Sequence, residues 1–115
     1  MVLAAPLDML FGKSDLIKID IDGYEYRALM GAKRLLSTYK PLVYLEYCPP
    51  LSQRVTGVPG EDILHLLAGL GYRATVLHRA EPPQEIEPAT LIETVTRLWQ
   101  RDWDAKITHL DIRWH

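Results

Sequence analysis

Cysteine is nearly missing from this chain: Cys48 is the only one in 115 residues. No intramolecular disulfide can form, and no cysteine cage for a metal is available. A basic excess is missing too. Thirteen Lys and Arg stand against 15 Asp and Glu, a net charge of -2 with a pI near 6.0. That balance lacks the electrostatic footprint of a nucleic-acid binder, and the local group Lys33, Arg34 and Lys40 reads as a solvated helix face. No apolar run approaches the ~20 residues of a membrane span. The opening MVLAAPLDMLFGK has no early basic region and meets Asp8 too soon for a secretory signal. These absences predict a cytoplasmic protein without nucleic-acid or membrane partners. Internal repeats, linkers and low-complexity segments are absent as well, so residues 1–115 read as one domain. What is present, 48% hydrophobic and 24% charged residues, is the balance of a chain that buries a core.

Short β-branched runs alternate with helical periods. DLIKIDI, residues 15–21, predicts a strand. A helix is expected over about 24–37, with Ala28, Leu29, Ala32, Leu35, Leu36 and Tyr39 at helical spacing on one face. Asp22 is placed as its N-cap, and Glu25 three residues later completes a capping box. Pro41 stops that helix, and LVYLEY, residues 42–47, predicts a second strand, buried on both faces. Residues 49–60, rich in Pro and Gly, read as a loop. A helix over about 61–70 follows, closed by Gly71 at C′, then a strand over 72–79. EPPQEIEP reads as a surface loop. A last helix opens on a second capping box, Thr90 and Glu93, and turns Leu91, Ile92, Val95, Leu98, Trp99 and Trp103 toward the sheet. ITHLDIRW, 107–114, is the fourth strand, parallel or antiparallel. This order predicts an α/β fold: about four strands in one sheet, with helices on both faces.

The segment KIDIDGYE, residues 18–25, places Asp20, Asp22 and Glu25 around the carboxyl end of a strand, where open α/β sheets bind ligands. Carboxylates there can orient a substrate hydroxyl, act as a general base or ligate a hard cation. The same residues also read as helix caps and a solvated strand end. The DxDG element is similar to the nucleophile motif of haloacid-dehalogenase phosphatases. That family has Thr where this chain has Tyr24, and it needs a Ser or Thr closing its second motif strand, which LVYLEYC does not supply.

A longer pattern covers roughly residues 6–78. It comprises Lys18-Ile19-Asp20, then Asp22, Gly23 and Glu25, then Leu29, Gly31 and Ala32. Lys40-Pro41 and a strand carrying Glu46 follow, with Leu7-Asp8 upstream and LLAGLGYRATVL downstream. This stretch resembles the fourth-to-fifth-strand region of FkbM-type S-adenosylmethionine-dependent methyltransferases, with Asp22 where that family more often has Glu. The resemblance implies a partial Rossmann-like methyltransferase fold, the C-terminal half of a class I methyltransferase. It also implies that Asp20, Asp22, Glu25 and Glu46 line the methyl-acceptor site, where a hydroxyl on a sugar or other small metabolite would be methylated.

The same fold holds S-adenosylmethionine through a glycine-rich turn after its first strand and an acid after its second. Gly69 and Gly71, the only G-x-G here, follow a helix and precede a strand. The chain alone is therefore expected to hold no cofactor and to lack catalysis. Two other readings stay open: a stand-alone interaction or small-molecule-binding module, and a cation-dependent phosphatase-like hydrolase. In the complete fold the 15–21 strand is central, so here it is expected to form a homodimer edge or to meet a separate chain supplying the cofactor half. His65, His78, His109 and His115 show no paired ligand spacing and read as core or surface residues, and Cys48 reads as an idle thiol.

Overall fold

The computed structural model describes residues 4–115. Its elements are α1 (Leu7–Leu10), β1 (Leu16–Ile19), α2 (Glu25–Met30), α3 (Lys33–Tyr39), β2 (Leu42–Tyr47) and α4 (Pro49–Thr56). α5 (Glu61–Gly69), β3 (Ala74–Leu77), β4 (Gln84–Glu85), a 3-10 turn (Pro88–Thr90), α6 (Leu91–Asp104) and β5 (Leu110–Trp114) complete the chain. The sheet is five-stranded in the order β1-β2-β5-β3-β4. β1 and β2 are parallel, whereas β5 runs antiparallel between β2 and β3. The mixed α/β architecture agrees with a partial methyltransferase-like fold.

Period-2 burial divides the sheet into two unlike faces. Val43, Leu45 and Tyr47 of β2 and Leu110, Ile112 and Trp114 of β5 are buried in one cluster with Leu29, Leu36, Leu64, Leu67, Val95 and Leu98 from the helices. The opposite face carries Lys18, Tyr44, Glu46, Asp111 and Arg113, all exposed or half-buried. Among the described residues, helical cover therefore lies on one face, where the sequence pattern anticipated both. Burying each large aliphatic side chain contributes about 1.5–3 kcal/mol, so the helix-covered face dominates stability.

Several local expectations are revised. The 24–37 helix is two helices, because Gly31 is where the N-terminal segment crosses. A Cβ on Gly31 would stand 3.3 Å from Pro6 Cα and Cβ, and the Gly31 carbonyl accepts the Asp8 N–H at 2.9 Å. The Asp8 carboxylate then accepts the N–H groups of Arg34 (2.9 Å) and Leu35 (2.8 Å), capping α3 from 26 residues away. The Leu7-Asp8 and Gly31-Ala32 elements are thus two halves of one device. Asp22 is not the α2 cap: it sits at φ 52°, and Tyr24 precedes the helix without a side-chain cap bond. Thr90 likewise makes no cap bond to α6.

The anticipated 49–60 loop contains α4, which uses Pro49 at its first position, where a missing N–H costs nothing. The EPPQEIEP stretch supplies β4, which pairs with β3 and brings Ile86 into the core. Gly71, at φ 86°, closes α5 as anticipated.

Candidate functional site

Strand register assembles the site. Ile19 pairs with Leu45 and Glu46 with Asp111, so one step past β1 the side chain of Asp20 falls beside Glu46 on the open face. One step before β5, His109 falls on the same face as Asp111. The result is a row across three strand ends: Asp20, Glu46, then Asp111 and His109. His109 Nε2 lies 3.4 Å from Glu46 Oε1 and 3.7 Å from Asp111 Oδ1. Glu46, His109 and Asp111 present their ligating atoms within 4.8 Å of one another. Arg79 reaches the same ring nitrogen at 3.4 Å.

Partial burial pushes the Glu46 carboxyl above the usual carboxylate range. The charge of His109 opposes this, while Asp20 and Asp111 add to it. A carboxylate whose pKa is raised in this way is a better proton acceptor than a free one. Beside it opens a groove of ≈ 400 Å³ lined by Asp22, Glu46, Cys48, Arg54, Trp103 and His109, among others. Trp103 stacks on Trp99, ring centroids 5.4 Å apart, and remains 42% exposed at the groove. It was anticipated as sheet cover. Its place in the last turn of α6, beside Asp104, brings it to the groove instead.

The four residues singled out from sequence divide. Asp20 and Glu46 meet, and Asp22 lines the adjoining groove. Glu25 turns inward, only 5% exposed, and accepts the Gly23 N–H at 2.9 Å and the Ile21 N–H at 3.3 Å. It holds the β1–α2 turn closed from beneath the crevice. Gly23 in that turn has φ 101°, and a Cβ there would lie 2.9 Å from Leu51 O and Val55 Cγ2, so the turn packs directly on α4. His109 was missed because its partners lie 63 residues upstream on another strand and two residues ahead (109 − 46 and 111 − 109). The alternation Thr108-His109-Leu110-Asp111, with Leu110 inward, was the available signal.

A carboxylate, an imidazole and an exposed aromatic thus gather at the strand ends of the sheet, the place where open α/β sheets bind ligands. Residues 4–74, more than half of the chain, match the family model described as methyltransferase FkbM domain, and the chain belongs to that family. Comparison with curated proteins and with solved structures yields no match.

S-adenosylmethionine, which the family suggests, does not find its holding elements among these residues. The turn after β1 is built on Gly23, whose missing Cβ is filled by Leu51 and Val55 of the same chain rather than left as a cradle. Among the described residues, the carboxylates at the ends of β1 and β2 (Asp20, Asp22 and Glu46) belong to the row and groove above, and none stands beside a glycine-rich turn that could present ribose hydroxyls to it. Among the described residues no helix is long and apolar enough to cross a membrane.

Proposed function

We propose that this chain is the acceptor-side module of an FkbM-type methyltransferase, which binds a hydroxyl-bearing small molecule but does not by itself hold S-adenosylmethionine or catalyse transfer. The observation that carries the reading is the meeting of Glu46 with Asp20 and His109 at the mouth of the groove. An acceptor hydroxyl donates its hydrogen bond to Glu46. Glu46 is then placed to take that proton as the oxygen bonds to a methyl group delivered by a donor held outside this chain, and His109, 3.4 Å from Glu46 Oε1, holds the carboxylate in position. Trp103 offers a flat apolar face to a ring of the acceptor, and Asp22 and Arg54 offer polar contacts around it. A cytoplasmic setting suits the single half-buried thiol of Cys48.

The test is titration of the isotope-labelled full chain with methyl α-glucoside and with myo-inositol, read by amide and indole NMR shifts. Saturable shifts confined to Glu46, Cys48, Trp103 and His109, and weakened in Glu46→Gln, support the acceptor module. Saturable shifts centred elsewhere, or none with either polyol at 50-fold excess over the chain, overturn it.

A further inference from the structure

We infer that the outer edge of β1 pairs with β1 of a second copy about a two-fold axis at Ile19, which brings Lys18 of the partner subunit to Asp20 at the border of the acceptor groove. The edge itself is read from hydrogen bonding. The Asp15 carbonyl accepts the Leu42 N–H at 2.9 Å, so residues 15, 17 and 19 direct their backbone groups toward β2. By alternation, Leu16, Lys18 and Asp20 direct theirs outward. Among the described residues no strand pairs with β1 on that side. The apolar side of the same edge is a groove of ≈ 610 Å³ with Ile17, Ile19, Ile21, Tyr24 and Ala28 along one wall and Pro6 and Leu7 along the other. Ile21 and Tyr24 are 42% and 51% exposed.

Self-complementarity selects the second copy and the register. A two-fold axis perpendicular to an antiparallel pair sets one residue opposite its own copy. With Ile19 at the axis, Lys18 stands opposite the partner's Asp20 twice over, once on each side. Both residues have outward backbone groups and so form the hydrogen-bonded pairs of the ladder. Ile17 then stands opposite the partner's Ile21 on the apolar side, entering the groove. With Lys18 at the axis, two ammonium groups face each other, and like charges directly opposite oppose pairing. The sequence Ile17-Lys18-Ile19-Asp20-Ile21 is thus symmetric in character about Ile19. The pairing also places a cation beside Asp20, offsetting the carboxylate crowding that Asp20 imposes on Glu46. A different polypeptide bearing the cofactor elements on this edge is the competing occupant, and the two exclude each other. The association does not rest on the acceptor reading, because it needs no ligand.

The experiment is sedimentation of the full chain and of Lys18→Asp, Asp20→Lys and the double variant, with thermal melts confirming that each is folded. The wild type is expected to dimerise, more weakly as salt rises. Each single variant is expected to weaken the dimer about tenfold or more, since two pairs change from attraction to repulsion. The double variant is expected to restore it, and an equimolar mixture of the two single variants, which again sets opposite charges at both pairs, to form a heterodimer. A wild-type monomer at millimolar concentration overturns the proposal. So does a dimer that both single variants leave within twofold, or one that the double variant and the mixture fail to restore.

Discussion

Removing the Glu25 side chain separates a structural carboxylate from a chemical one. In Glu25→Ala the buried Gly23 N–H loses its acceptor at 2.9 Å, and the partly buried Ile21 N–H loses one at 3.3 Å. An orphaned buried donor costs about 1–3 kcal/mol, and hydrogen bonds to a charged acceptor lie toward the stronger end. Gly23 carries the full penalty and Ile21 a fraction of it, since water reaches its side of the turn. The sum is about 2–4 kcal/mol, a large share of the ~5–15 kcal/mol that holds a domain of this size. Glu25→Gln keeps one carbonyl oxygen for Gly23 and should lose only about 1 kcal/mol. Urea melts at pH 7 with an unchanged slope are the assay. If Glu25→Ala unfolds within 0.5 kcal/mol of wild type, by order of magnitude less than one lost bond, the turn does not depend on this carboxylate. Glu25 would then be free for the acceptor site.

Two further predictions follow from charge. Partial desolvation pulls Asp8 upward, but the N–H groups of Leu35 and Arg34 and the Arg34 guanidinium outweigh it, so its pKa lies below the ordinary 3.8. The stability Asp8 contributes is therefore present above that value and lost as pH falls through the depressed pKa. Asp8→Ala should destabilise the chain at pH 7 and progressively less below pH ~3.8, read from denaturant midpoints; a pH-independent difference would contradict the cap. Glu46 has the opposite sign. Its raised pKa favours the neutral acid, so its contribution is complete below the ordinary value of 4.5 and declines as pH rises through the raised one. Glu46→Gln should gain on wild type in the same denaturant midpoints as pH rises above 4.5, and a gap that narrows as pH rises would contradict the carboxylate crowding.

The strands were legible as short apolar runs but their faces were not: LVYLEY reads as buried on both, whereas Val43, Leu45 and Tyr47 are buried and Leu42, Tyr44 and Glu46 are not. The α2–α3 break was not legible, because it depends on Pro6 and Asp8 meeting Gly31 and Arg34 across a gap no local window spans. The same limit applied to α4. Two prolines look like a loop until Pro49 is recognised as a first helical residue and Gly57, at φ 73°, as the stop. The site was half legible. Asp20 and Glu46 each stand at a strand tip, so their motif could be read; their meeting, and that of Glu46 with His109, needed the register of β1, β2 and an antiparallel β5. Glu25 was assigned to the crevice by its charge, whereas its length lets it fold back under Ile21 and Gly23.

The central claim, that this chain carries the acceptor side of an FkbM-type site without holding the cofactor, is tested most directly by calorimetric titration of the purified chain with S-adenosylmethionine. Among the described residues the only positive-φ glycine after a strand is Gly23, already filled against α4, and no acid stands beside a glycine-rich turn. The account predicts a dissociation constant weaker than ~100 μM, a binding free energy smaller than about 5.5 kcal/mol. A saturable one-to-one isotherm tighter than that would contradict it.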